Sequence, residues 1–369
     1  MASFMIRPAL ASLVLAIGIP AQTVWVVDAN GGPGSTFATV GSAVAAASDG
    51  DVVQVRIGSY SETIRTSKAL TFLLADGTYL YELSSLNLPA GRTFQVRGGS
   101  FYNVQVYAAA GTVHVEDVFV AYPGSFDLRD SSGVTVRDST FGRSARVTNS
   151  TVAFSGCYMD GYDFTVALSC ISADVSVANC TILGAYELCG TSQPASPAIR
   201  LTSSRVAITR SVVSAGDGSS CTGPTSAIQD AGAPFSPSTV MLDASAKVTG
   251  SNGAPPIAGA AVTAALIPST RTSSDEAGTR LDLVAEAAAG TPVFVLASLP
   301  VLPVPTPFGN LWLDPSLQLT LVAGTTGPSG ELAVSFVLPA GLPVAANLVT
   351  QTIAAVPLAI GTPSRWLAP

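Results

Sequence analysis

The sequence predicts an all-β protein: a right-handed parallel β-helix with a short N-terminal capping helix, followed by a small antiparallel β-sandwich domain. Three observations lead there. An apolar pattern recurs six times at intervals near the length of a solenoid coil. The composition is small and apolar, with 34 Gly, 25 Pro and only 11% charged residues, which excludes a charge-rich disordered chain. Toward the C-terminus the repeat gives way to short alternating runs separated by Gly and Pro.

The chain opens with Arg7, the apolar stretch ALASLVLAIGIP and then Ala21 before Gln22, the pattern of a signal peptide with a small residue before the cut. Residues 1–21 are expected to be removed and the protein exported, to the medium or the cell surface. No later segment reaches the roughly 18 apolar residues of a membrane span. With 17 Lys+Arg against 24 Asp+Glu and one His, nothing is suited to neutralise a phosphate backbone or an anionic membrane, so nucleic acid is not an expected partner.

Next comes STFATVGSAVAAASDGD, read as a short helix capped by Ser35 or Thr36, with Phe37, Val40, Val44 and Ala47 on one face and Gly50 ending it. DVVQVRIGSYSETI and KALTFLLADG follow as the first coils. The helix would cover the open end of their core, as solenoids require.

The repeats proper are TFQVRGGSF, TVHVEDVFV, GVTVRDSTF, TVAFSGCYM, DVSVANCTI and RVAITRSVV. Anchored on Val96, Val115, Val136, Phe154, Val177 and Ile208, they are separated by 19, 21, 18, 23 and 31 residues, the longest interval implying a loop around ELCGTSQPASP. Three columns are wholly apolar: this one, the column two residues earlier (Phe94, Val113, Val134, Val152, Val175, Val206) and the column five later (Phe101, Val120, Phe141, Met159, Ile182, Val213). A separation of two is the period of a strand with one buried face. The odd separation of five demands a turn that re-aims the chain, and Gly98, Asp117, Asp138, Gly156 and Asn179 supply residues that tolerate one, with Arg210 closing the column.

Five cysteines, 157, 170, 180, 189 and 221, form no C-x-x-C pair, and the lone His114 is distant in sequence, so a zinc site is not expected. Cys157 and Cys180 share a column on consecutive coils and are read as buried thiols. Cys189 and Cys221 are the candidate loop disulfide.

The segment from Phe37 to Gly77 resembles the N-terminal entry of the pectin-lyase-like superfamily of right-handed β-helices. Gly50, Asp51, Val53, Val55, Gly58, Tyr60, Glu62 and Ile64 carry the likeness, which extends through the repeats to about residue 245. The resemblance implies the fold. It leaves activity open, because that superfamily includes lyases, galacturonases, methylesterases and non-enzymatic surface proteins.

Hydrolysis by such a scaffold needs paired carboxylates, β-elimination needs a calcium-binding acidic cluster with a base, and de-esterification needs two aspartates with an arginine. The nearest constellation is Glu116, Asp117, Arg137 and Asp138. Asp117 and Asp138 share a column, so they are candidate catalytic carboxylates with Arg137 beside them, and equally candidate turn residues that bond their own backbone. The turn reading is preferred. Galacturonase-like Asp-Asp and Gly-His-Gly signatures are absent, and His114, between Val113 and Val115, is expected to face solvent. Asp160 and Asp163 offer calcium two carboxylates where six or more oxygens are needed, so a polar loop is the preferred reading and no cofactor is expected, calcium being the one alternative. Tyr102, Tyr122, Tyr158 and Tyr162 are the candidate ligand-binding residues, since aromatic faces stack on sugar rings.

Residues 22–249 are thus assigned to the β-helix, 250–261 (around GSNGAPPIAGA) to a linker and 262–369 to the sandwich domain, which resembles the C-terminal modules of large secreted bacterial surface proteins. The expected function is a secreted or cell-surface, non-catalytic β-helix protein that binds glycan or serves attachment. The alternatives are a polysaccharide-active lyase, hydrolase or esterase, and a structural envelope component.

Overall fold

The computed structural model describes residues 22–162, 165–185, 195–216, 224–232, 236–274, 280–316, 318–338 and 347–367. The signal segment, Asp163, Cys189, Cys221 and most of the ELCGTSQPASP loop lie outside these residues. The chain divides into two units, Val24–Ala265 and Leu266–Pro369.

The first unit is the predicted right-handed parallel β-helix. One eleven-stranded parallel sheet, running from Val24–Val27 to Ala261–Ala264, forms its first face. A fourteen-stranded sheet forms the second and third. Early coils cross both of these faces with one long bent strand, such as Ser100–Tyr107 or Phe119–Arg129, and later coils use two short ones, such as Thr140–Phe141 and Ser144–Thr148.

All three apolar columns are true register columns. Phe94 pairs with Val113, Val113 with Val134, and so on to Val206, while Val96 and Phe101 head the other two. Every member is buried. Side chains of one column therefore stack at strand spacing, about 4.8 Å, and bury a continuous core in which Phe154 meets Phe126 and Phe141 edge to face and those two rings pack tilted against each other.

The turn column has its physical cause in the backbone. Gly98, Asp117, Asp138, Gly156, Asn179 and Arg210 all have positive φ, from 45° to 76°, the left-handed conformation that Gly, Asn and Asp adopt most readily. A second such column, Asn87, Ala108, Asp130, Asn149, Ser172 and Ser203, turns the chain from the third face back to the first. Its residue types are too mixed to have stood out in the sequence.

Buried hydroxyls and thiols stitch the coils together beside both columns. The Ser139 hydroxyl accepts from Val118 N, and Ser211 from Cys180 N, while each donates to the carbonyl two residues back. The Cys180 thiol holds the same place, accepting from Cys157 N at 3.3 Å. Ser131, Ser150, Ser204 and Ser238 repeat the arrangement at the other turn. Cys157, Cys170 and Cys180 are buried thiols.

The capping helix spans Val40–Ala46, with Thr39 rather than Ser35 or Thr36 as its cap. The reason is competition: Phe37 bridges to Val27, and Asp28 N donates to Phe37 O, so the chain is still strand-like there. Glu62 accepts from Val40 N and Gly41 N at 2.9 and 2.8 Å, and Lys68 donates to the carbonyls of Val44, Ala45 and Ala47, so both helix ends are satisfied from the coils beneath.

The stretch 250–261 is not a linker. Ile257–Ala258 pairs with Ile228–Gln229, and Ala261–Ala264 pairs with Thr239–Leu242. The Gly and Pro residues there build the turns of a last coil, and the solenoid ends at Ala265 rather than 249.

The second unit is antiparallel. Strands Ser269–Ser274, Arg280–Glu286 and Glu331–Val337 form one group, and Pro292–Ser298, Leu319–Thr325, Asn347–Ala355 and Leu358–Leu367 another, joined by a parallel bridge between Ser269 and Thr362. Leu283 and Ala285 of the first group share a core with Val293, Val295, Ala297 and Leu321 of the second. Buried Gln351 ties in the hairpin formed by Pro300–Thr306 and Gly309–Leu313, donating to Asn310 O and accepting from Trp312 N.

Candidate functional site

Two surfaces of the solenoid gather chemistry-bearing side chains. On the first face, alternation turns residues away from the Val113/Val115 core, and register sets His114 beside Thr135 and Glu116 beside Arg137. Glu116 lies 2.5 Å from Arg137 Nη2 and 3.8 Å from Arg97 Nε, and it accepts from His114 Nε2 at 3.0 Å. His114 Nδ1 sits 2.9 Å from Thr135 Oγ1. The expectation that His114 faces solvent is corrected here: it points away from the core as alternation requires, yet its exposure is 0%. Alternation reports the side of the sheet and not what packs over it.

Burial by itself would raise the Glu116 carboxyl, but the His114 hydrogen bond and the charges of Arg137, His114 and Arg97 outweigh it and hold the group at about 2. Glu116 is a locked counter-ion. A carboxylate so placed is too weakly basic to take a proton at neutral pH and has none to give.

Asp117 is shifted up by burial and by the charges of the Asp76 and Glu116 carboxylates. Asp138 lies 3.2 Å from Arg137 Nε and rests against Gly156 of the next coil, where a Cβ would collide with its carboxylate. The backbone of each continues the ladder, Asp117 N donating to Arg137 O and Asp138 N to Ser155 O.

The second surface is aromatic. Tyr81 and Tyr102, on adjacent coils, stack with ring centroids 5.0 Å apart and planes 10° apart. Tyr122 and Tyr162 meet edge to face at 4.9 Å. These two belong to the coils on either side of the one that carries Gly142. All four lie where the second face bends into the third, and Tyr81, Tyr122 and Tyr162 are exposed. Tyr158 and Phe119 project from the second face nearby, the Tyr158 hydroxyl donating to Asp160. The structure thus brings Tyr102, Tyr122 and Tyr162 onto one corner with Tyr158 beside it. Tyr81 escaped the sequence reading because it precedes the six clear repeats, although its register partner is Tyr102.

Asp160 is shifted up by burial. Among the described residues no cluster of three or more His, Cys, Asp or Glu is placed to hold a metal ion, and no helix is long and apolar enough to cross a membrane.

No protein-family model and no curated protein matches the chain. Among solved structures, the pectate lyase Pel9A matches 67% of this chain and 78% of its own, at 17% identity and a TM-score of 0.33. The cell-surface-expressed multi-modular chitinase ChiW from Paenibacillus sp. str. FPU-7 matches 94% of this chain at 13% identity and a TM-score of 0.23, the match spanning 24% of that enzyme. The architecture defines the class: a parallel β-helix protein with an antiparallel C-terminal unit.

Proposed function

We propose that this chain is an exported, non-catalytic β-helix protein that binds glycan along the tyrosine corner. The observation that carries the reading is the pair of ring contacts, Tyr81 with Tyr102 and Tyr122 with Tyr162, which hold exposed aromatic faces along the solenoid axis. Rings that are already packed lose little freedom when a sugar stacks on them. Export rests on the apolar segment before Gln22.

The test is binding of the purified chain to a panel of neutral polysaccharides, with Tyr102→Ala and Tyr122→Ala beside it. About 1.4 kcal/mol lost per ring would read as a tenfold weaker Kd. Unchanged affinity in both variants would sink the tyrosine corner as the binding surface.

A polysaccharide-active enzyme is the second reading, favoured by one observation: neighbouring carboxyls are driven apart, Glu116 down and Asp117 up, as acid and base partners often are. Against it, Glu116 is 3% exposed and fully engaged, so no substrate atom reaches it.

A further inference from the structure

The sheet of the C-terminal unit ends on two edge strands, Leu319–Thr325 and Glu331–Val337. Edges present rows of unpaired N–H and C=O groups, and proteins blunt them with bulges, charges or proline. The Leu319–Thr325 edge is blunted, its register against Pro292–Ser298 slipping between Val295 and Leu296. The nearby hairpin carries Pro300, Pro303 and Pro305 on one strand. Glu331–Val337 has none of these devices. It pairs with Arg280–Glu286 over seven consecutive residues without a slip and contains no proline. Its one charged residue, Glu331, sits at the first position and is engaged by Arg271 at 3.7 Å.

Ala287 N donates to Gly330 O. By the alternation of an antiparallel ladder, Leu332, Val334 and Phe336 are then the residues that exchange bonds with Arg280–Glu286. The N–H and C=O groups of Ala333, Ser335 and Val337 therefore point outward, and among the described residues no strand pairs with them. The side chains show the same deficit. Leu332 and Phe336 pack on the core from the inner face yet stay only partly buried, as does Val334, and Val337 is 81% exposed.

We propose that Glu331–Val337 is a homodimerisation edge that pairs antiparallel with the same strand of a second copy, about a two-fold axis at Val334. The strand is self-complementary in that register. Ala333 exchanges both backbone bonds with the partner's Ser335, Leu332 meets the partner's Phe336, and Val334 meets its own counterpart. Glu331 falls opposite the partner's Val337, so no like charges face each other. Pairing continues the Leu332, Val334 and Phe336 row across the axis, and the residues that gain cover are those the edge leaves short of it. Moving the axis to Ser335 would leave Glu331 and Leu332 without partners in the strand. Pairing with the Leu319–Thr325 edge of another copy would meet the bulge and leave an open chain of molecules, whereas pairing like with like closes at two.

The experiment measures the mass of the purified chain by sedimentation velocity, from micromolar to several hundred micromolar concentration. The variants are Ala333→Pro, which removes an outward N–H and no ladder bond within the chain, and Ala323→Pro on the opposite edge. A third, Val334→Cys, sets two thiols across the axis on residues about 4.5 Å apart at Cα, within reach of a disulfide. The edge predicts a monomer–dimer equilibrium in the parent and in Ala323→Pro, a dissociation constant raised about tenfold or more in Ala333→Pro, and a covalent dimer of Val334→Cys that the parent does not form under the same mild oxidation. Thermal unfolding checks that Ala333→Pro is folded, and the cysteine variant decides the matter if it is not. A parent that stays monomeric throughout, a dimer as tight in folded Ala333→Pro as in the parent, association lost in Ala323→Pro, or a Val334→Cys protein that cross-links no more than the parent would each overturn the proposal.

Discussion

Arg137 of one coil donates to Glu116 of the coil before it at 2.5 Å, with side-chain exposures of 10% and 4%. The pair is a fastener between coils on the first face. Both belong to the constellation singled out from the sequence, and their geometry gives them a structural occupation.

Removing one partner leaves the other charge buried and uncompensated, a loss of about 3–5 kcal/mol. Glu116→Gln is therefore expected to destabilise the solenoid strongly in denaturant unfolding. A change below about 0.5 kcal/mol, the range of ordinary surface substitutions, would mean that the pair holds nothing.

The same carboxylate sets an acid limit. Its folded pKa of about 2 lies below the ordinary 4.5, so its stabilisation is complete above the unfolded value and is lost as pH falls through 4.5 toward 2, an effect of about 3 kcal/mol. Urea midpoints measured across that window should fall steeply in the parent and be flatter in Glu116→Gln. Parallel curves would assign the acid sensitivity to other groups. Asp117 has the opposite sign, its raised pKa opposing stability once it ionises.

Cys157 and Cys180 occupy places that Ser139 and Ser211 fill on neighbouring coils. Cys180→Ser should thus be tolerated within about 1 kcal/mol, whereas Cys180→Val leaves the buried Cys157 N–H unpaired and costs about 1–3 kcal/mol. Thermal unfolding distinguishes them, and equal melting temperatures for the two variants would discredit the hydroxyl-and-thiol ladder.

Glu62 caps the helix from outside it. Glu62→Ala is expected to cost about 1–2 kcal/mol and to raise amide exchange first in residues 40–46. Protection unchanged in that segment would show the helix to be held by Val40, Ala43 and Val44 alone.

Much of this architecture was legible because core packing writes itself into period and spacing. Phe94, Val96 and Phe101 each head a column that the register reproduces, and Asp117 and Asp138 were readable as turn residues from the Gly and Asn sharing their column. The Glu116–Arg137 contact was also latent, since anchoring on Val115 and Val136 makes them register neighbours. What stayed hidden depends on three-dimensional neighbours with no period. The cover over His114 is one case, and the contact of Tyr122 with Tyr162 is another. The last coil was misread because its Gly and Pro turns look like a linker when no strong apolar run separates them.

The central claim is that the candidate aspartates turn the chain and do not act on substrate. Its most direct test incubates the purified chain with neutral and acidic polysaccharides, with and without calcium, beside an Asp117→Asn/Asp138→Asn variant. Each sample is assayed for bound polymer and for new reducing ends, unsaturated products and released esters. The account predicts binding without turnover, the same in both proteins, because left-handed turn positions accept Asn as readily as Asp. Cleavage, elimination or de-esterification by the parent that disappears in the variant would contradict it and make the first face an active site.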